Sequence, residues 1–276
     1  MKDGSAARVL GLVIIWLPGV FAGCAAPDDS AESPRAPATA VSRWAPQIGM
    51  SWQYQLEDPV DTRVKADVFD VDAFNVDASV VKALHTDGKR AICYVNVGAY
   101  ENWRPDVARF PEDVIGDPLD GWPGESWLDV RRLDVLEPIM ATRLDMCRDK
   151  GFDAVEPDNL DGYADASGFP ITTDDQLRYN RMIARLAHDR SLGVGLKNDL
   201  NQVEELVGDF DFAVNESCVE ERECPLLTPF IQSGKAVLHV EYNLRLGEFC
   251  PVTKPLRFSS IGKPLELTAP VEFCAA

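Results

Sequence analysis

Short apolar, β-branched runs recur through residues 43–276, with stretches of helical periodicity between them. That alternation is expected of βα units wound around a parallel sheet. The runs predict strands at Ile48–Leu56, Asp67–Phe74, Arg90–Val97, Phe152–Glu156, Gly193–Lys197, Phe210–Asn215, Ala236–Tyr242 and Leu256–Ser260. Eight such strands in one domain predict an α/β fold, a single (β/α)8 barrel of the TIM type. The eighth strand has the weakest signal, because the chain after Cys250 carries Pro and Gly with little periodicity. Between the strands, Val80, Val81 and Leu84 lead to Gly88, which is placed to end a helix. Leu133–Lys150 reads as a second helix, interrupted early by Pro138 and capped by Gly151. Thr173 and Gln176 have capping-box spacing ahead of Leu177, Ile183, Leu186 and Ala187.

Two connections are longer than a barrel needs. Gly98–Asp134 follows the third predicted strand and Asn159–Thr172 the fourth, so both fall on the C-terminal face, where barrel enzymes place their chemistry. Loops of that length are usually functional or disordered, and Trp103, Trp122 and Trp127 argue for order in the first.

The first 42 residues follow another pattern. Lys2 and Arg8 precede the apolar run Val9–Phe21, and Ala22-Gly23-Cys24 comes next. This reads as an export signal over residues 1–24, too short for a comfortable permanent span, which needs roughly 20 apolar residues. The small residues before Cys24 resemble a lipobox, so a lipid on Cys24 is the expected anchor and the only expected membrane contact, with ordinary secretion the alternative. Residues 25–42 are mostly Ala, Pro, Ser and Asp without periodicity, and predict a disordered tether. The remainder, 43–276, has the size of one barrel domain.

Seven cysteines sit at Cys24, Cys93, Cys147, Cys218, Cys224, Cys250 and Cys274. Setting Cys24 aside leaves an even number, which suits disulfides in an oxidising compartment. Cys218 and Cys224 are close enough to staple one loop. Cys93 with Cys147 and Cys250 with Cys274 are then one guess for the rest, since six cysteines allow 15 pairings. No CxxC pair or HExxH motif points to zinc. The net charge of −18 argues against a nucleic-acid partner and suits a neutral or cationic one, although acidic surfaces also simply keep exported proteins soluble.

Polar side chains gather at the predicted strand ends. Asp70 and Asp72 stand in the second strand, Tyr94 and Asn96 in the third, Glu156-Pro157-Asp158-Asn159 at the end of the fourth, and Lys197-Asn198-Asp199 at the end of the fifth. Asn215-Glu216 and Glu241-Tyr242 follow the sixth and seventh. Buried strands that run into carboxylates are the arrangement expected of catalysis on this fold, while some of these acids should instead pair with Lys197, Arg104 or Arg131. Paired carboxylates with only three histidines suggest glycosyl transfer, in which one acid protonates the leaving oxygen and the other acts as base or nucleophile. His85 and His188 lie in helical stretches. His239 and Glu241 flank Val240 on one strand face, a spacing that two metal ligands could use, but no metal and no cofactor is implied. A P-loop, a GxSxG elbow and a complete GxGxxG after a strand are all absent from the sequence.

Several motifs together carry a resemblance. They are Trp52-Gln53-Tyr54-Gln55-Leu56, Cys93-Tyr94-Val95-Asn96-Val97-Gly98 with Glu101, Trp103 and Arg104, Gly121-Trp122-Pro123-Gly124-Glu125, Trp127-Leu128-Asp129, and Gly151 to Asn159. Leu196-Lys197-Asn198, Asn215-Glu216-Ser217-Cys218 and Val240-Glu241-Tyr242 continue the series. Over Trp44–Tyr242 the chain resembles glycoside hydrolase family 114; the tail from Leu244 matches nothing. The resemblance implies an endo-acting α-1,4-polygalactosaminidase on a (β/α)8 barrel, whose substrate is a cationic amino-sugar polysaccharide. It implies Asp158 and Glu216 as the catalytic acids and Cys218–Cys224 as a loop disulfide behind Glu216. Glu156 and Glu241 are reserves. Together with Tyr54, Asp72, Tyr94, Asn96, Glu101, Trp127, Lys197 and Tyr242, those two reserves are the expected substrate contacts, and a monomer is expected. The residues alone also allow an exported lipoprotein that binds glycan without cutting it, or a barrel hydrolase for another α-linked glycan.

Overall fold

The computed structural model describes residues 43–274, and Gly19 alone among the residues before them. The export signal, Cys24 and the tether lie outside the described residues. Among the described residues no helix is long and apolar enough to cross a membrane.

In chain order the strands are β1 (Trp52–Gln55), β2 (Val68–Asp72), β3 (Arg90–Asn96), β4 (Ala99–Glu101), β5 (Ile115–Pro118), β6 (Glu125–Leu128), β7 (Ala154–Asp158), β8 (Gly193–Lys197), β9 (Phe212–Glu216), β10 (Val237–Glu241), β11 (Ser259–Gly262) and β12 (Glu272–Phe273). The helices are α1 (Ala78–Thr86), α2 (Leu133–Lys150), α3 (Thr173–His188), α4 (Val203–Leu206), α5 (Thr228–Gln232) and α6 (Leu246–Thr253). The main sheet runs β1-β2-β3-β7-β8-β9-β10-β11, parallel at every step, and β12 adds antiparallel to β11. The edges meet through side chains: the Trp52 indole donates to the Ser259 carbonyl at 2.8 Å, and Lys263 Nζ to Gln53 Oε1 at 3.1 Å. The result is an α/β barrel of eight parallel strands, as the apolar runs predict.

Strand alternation divides the core. One set of side chains points out beneath the helices, with Phe69, Val71, Cys93, Val95, Val155 and Val194 among them. The other fills the barrel, with Trp52, Tyr54, Val68, Ile92, Ala154, Phe212, Val214, Leu238 and Val240. Both faces of the strands are therefore covered, so they read as continuous apolar runs. A Cβ at Gly195 would come within 2.6 Å of the Phe212 ring, so glycine there makes room for the largest inward group of the next strand.

The structure departs from expectation at five points. The long connection after β3 is not a loop alone: β4, β6 and β5 form a three-stranded antiparallel flap. No helix follows β1, and those after β8 and β9 are single turns. The eighth barrel strand begins at Ser259, not Leu256, because Arg257 turns the chain with φ 62°. The capping box is Thr172 with Asp175, one residue earlier than read, since Gln176 is buried and donates to Asn180 at 2.8 Å. Finally, α2 runs through Pro138 unbroken, although that residue cannot make the backbone bond to the carbonyl four residues earlier. Gly151 caps that helix in the left-handed region, as expected. Among the described residues three disulfides form, Cys93–Cys147, Cys218–Cys224 and Cys250–Cys274, the pairing guessed from the sequence.

Candidate active site

The C-terminal strand ends open into a cleft of about 610 Å³, walled on one side by the flap. Three of the strands leave the barrel through sharp turns. Asn159 after β7, Asn198 and Asp199 after β8, and Ser217 after β9 all have positive φ, from 46° to 61°. Asn and Asp tolerate that region best among residues with a Cβ, and such outliers gather where side chains must be aimed. Gly98 serves the same end of β3: a Cβ there would sit 1.7 Å from the Asn159 carbonyl.

At the centre lies Lys197. Its Nζ is 2.9 Å from Glu156 Oε1, 3.0 Å from Asp158 Oδ1 and 3.3 Å from Glu216 Oε2, and it donates to the Tyr54 hydroxyl at 3.1 Å. Burial alone would strip its proton, but Asp158, then Glu156 and Glu216, outweigh that and push the ammonium well up. Of the three acids, Glu156 has no exposed side-chain surface, whereas Asp158 and Glu216 are 18% and 27% exposed and face the cleft. Tyr94 donates to Asp158 Oδ2 at 2.8 Å. Tyr242 donates to Glu216 Oε1, and Asn198 Nδ2 reaches Glu216 Oε2 at 3.2 Å while Asn198 Oδ1 accepts from the Glu216 backbone. Burial and the surrounding carboxylates raise Tyr54, Tyr94 and Tyr242, which keeps all three neutral donors.

The cleft walls are acidic. Asp72 takes a bidentate contact from Arg104 at 3.0 and 2.7 Å, and Glu101 meets the same guanidinium at 2.6 Å, so these two acids are already paired. Among the described residues the Glu125 side chain on β6 has the Asn96 amide, at 3.0 Å, as its one hydrogen-bond partner, and burial, then Glu101 and Asp158, raise its carboxyl to about 7. Burial, then Asp158 and Asp165, raise Asp161 to about 6. Trp103 and Trp122 stand on the flap at the rim, each about half exposed.

A model of glycoside-hydrolase family GH114 matches residues 33–276. The chain belongs to this family. It is therefore a glycoside hydrolase. No curated relative matches it. Among solved structures, Aspergillus fumigatus Ega3 in complex with galactosamine superposes with a TM-score of 0.80 at 37% identity, over 84% of this chain and 97% of that one. The glycoside hydrolase domain of Pseudomonas aeruginosa PelA gives 0.61 at 13% identity, over 81% and 97%. The Thermus thermophilus α-galactosidase TtGalA with stachyose gives 0.55 at 14%, over 83% and 64%. The last two show the barrel alone.

In this GH114 chain the structure brings together Tyr54, Tyr94, Glu156, Asp158, Lys197, Glu216 and Tyr242, with Asp72, Glu101 and Trp127 on the cleft walls and Asn96 behind Glu125. Glu241 stands apart. Leu238 and Val240 point into the barrel, so Glu241 points out; it is fully buried, 3.0 Å from His239 Nε2, and accepts the Val219 N–H at 2.8 Å. It is not a cleft residue but an anchor for the loop behind Glu216. His239 Nδ1 in turn meets Ser260 Oγ at 3.0 Å, so both ring nitrogens are engaged. Glu125, Asp161 and Asn198 were not singled out from the sequence as site residues. Asn198 had a signal in its Lys-Asn-Asp strand end. Glu125 had none of that kind, because the flap that carries it has no barrel periodicity.

Proposed function

We propose that this chain is an endo-acting hydrolase of α-1,4-linked galactosamine-containing polysaccharide, with Asp158 as nucleophile and Glu216 as acid and then base. The observation that carries the reading is two cleft-facing carboxylates meeting on one ammonium. Contacts of 3.0 and 3.3 Å on one nitrogen hold the nearest Asp158 and Glu216 oxygens close together, and we read the pair as retaining, a geometry in which the two carboxyls stand roughly 5–5.5 Å apart. Asp158 attacks the anomeric carbon as Glu216 gives its proton to the leaving oxygen, and Glu216 then takes a proton from the water that frees the sugar. Lys197 and Tyr94 hold the first carboxylate; Lys197, Asn198 and Tyr242 hold the second.

The substrate class follows from charge. The solved structure of Ega3 contains galactosamine, and the cleft here carries Glu125, Asp161 and Asp165 in excess of its cations Arg104 and Lys197. Such a cleft draws in a polycation and strengthens binding to it. Export fits the disulfides, with residues 1–24 as the signal, Cys24 as a lipid anchor, 25–42 as a tether and 43–276 as a monomeric catalytic domain.

The test is release of reducing ends from a deacetylated α-1,4-galactosamine polymer. Asp158→Asn and Glu216→Gln should each lower kcat by about 10³-fold or more while the folded protein still binds the polymer. Near wild-type turnover in either variant would remove that residue from the mechanism. Binding without turnover in the wild type would leave a glycan-binding protein.

A further inference from the structure

Below the reacting pair lies a second pair of carboxyls that the mechanism does not use. Asp70 on β2 and Glu156 on β7 both point into the barrel and have no exposed surface. Glu156 Oε1 is occupied by Lys197 and by the Tyr54 hydroxyl, which donates at 3.0 Å. Its Oε2, and both oxygens of Asp70, receive no donor group from the rest of the protein. What each has is the other: the two carboxyls are within hydrogen-bonding reach. Lys197 is the only cation within ion-pair distance of Glu156 among the described residues, and it also serves Asp158 and Glu216. Two facing anions in a dry site with one shared cation are prohibitive, and a single proton between them resolves both the charge and the unmet hydrogen bonds.

We propose that Asp70 is a positioning residue that holds this proton and donates it to Glu156 Oε2, keeping Glu156 ionised as the fixed buried counter-ion of Lys197. Asp70 touches no substrate. Its effect passes through Glu156 to Lys197, and so to the geometry in which Asp158 and Glu216 are held. The groups that face this site are Tyr54 from β1, Asp72 from β2, Tyr94 from β3, Asp158 beside Glu156 on β7, Lys197 from β8, Glu216 from β9 and Tyr242 beyond β10. Asp72 is held by Arg104, and the tyrosines are neutral. The remaining balance therefore falls on Asp70. Burial, then Glu156, push the Asp70 carboxyl well above the ordinary range, whereas burial raises Glu156 against the opposing pull of Lys197 and of the Asp70 hydrogen bond. Remove the Asp70 donor, and Glu156 keeps its own proton to a higher pH. Lys197 is then released toward Asp158 and Glu216, which blunts the nucleophile.

The proposal rests on Asp158 and Glu216 as the reacting pair only for its consequence, not for the shared proton, and two measurements separate these. The infrared difference between wild type and Asp70→Asn at neutral pH should show the C=O stretch of a protonated carboxyl in the wild type only. Absence of that band overturns the proposal whether or not the chain is a hydrolase, and it does not depend on the fate of a harsher variant. In kinetics, Asp70→Leu should move the acid limb of the kcat/KM profile up by about one pH unit, about a tenfold loss below it. KM should change little. Asp70→Asn, whose amide can still donate, should restore the wild-type limb. A limb that stays in place in Asp70→Leu, or moves equally far in Asp70→Asn, also overturns it.

Discussion

Two residues along each strand separate a dry layer of the barrel interior from a charged one. Trp52, Val68, Ile92, Ala154 and Val214 line the lower layer, all apolar and buried. One inward step later stand Tyr54, Asp70, Tyr94, Glu156 and Glu216, with Lys197 one step beyond Gly195. Both layers obey the same alternation and are tightly enclosed by the same strands. They differ in what satisfies them: dispersion and burial below, a network on a single ammonium above. Because the eight barrel strands are all parallel, the polar steps fall at one end, where the cleft admits water and substrate. The lower layer is thus a foundation and the upper one a site, and substitutions should sort accordingly.

The sharpest way to break this division is Lys197→Met. It leaves Glu156 buried without a cation, and removing one partner of a buried pair should cost about 3–5 kcal/mol by denaturant unfolding. Turnover should fall at least about 100-fold in the same protein, because Asp158 and Glu216 lose their common anchor. If stability fell but activity held, the upper layer would be structural only. Next is Ile92→Ala in the lower layer. The cavity should cost about 2–5 kcal/mol, while kcat/KM of the folded fraction changes by less than about twofold. A large kinetic defect there would erase the distinction.

A further test concerns pH. Burial, then Asp161, push Asp199 from 3.8 to about 8 against donation from Tyr163 and Asn180. Its protonated form is favoured by folding, so its contribution to stability is complete below about 4 and is lost as pH rises through about 8. Asp199→Asn should flatten the fall of Tm across that window. A wild-type Tm that climbs from pH 4 to 8, with no change in slope in the variant, would contradict the raised carboxyl.

The comparison also explains what could be read in advance. Strands covered on both faces must be apolar runs, so all eight barrel strands were legible, and the polar residues that end them marked the catalytic face. Asp158 and Glu216 stood out among those acids through family resemblance, and the geometry then set them on Lys197. Glu241 was misread because a strand-end acid looks the same whether it points in or out. Parity decides it: with Val240 inward, Tyr242 reaches Glu216 and Glu241 turns to His239. Glu125 was overlooked because β4, β5 and β6 are short antiparallel strands broken by Gly and Pro, without the period that betrays a barrel strand.

By itself the sequence determined the barrel, the even set of cysteines, the acidic balance and the short list of carboxylates, since each is a matter of composition or of period along one strand. Only the tertiary structure decided how those carboxylates divide their labour. Whether an acid is open to the cleft like Asp158, paired off like Asp72, turned outward like Glu241 or sharing a proton in the dark like Asp70 depends on neighbours far away in the chain. Those neighbours fix local dielectric and hydrogen bonding, and it is these that set the chemistry of a carboxyl group.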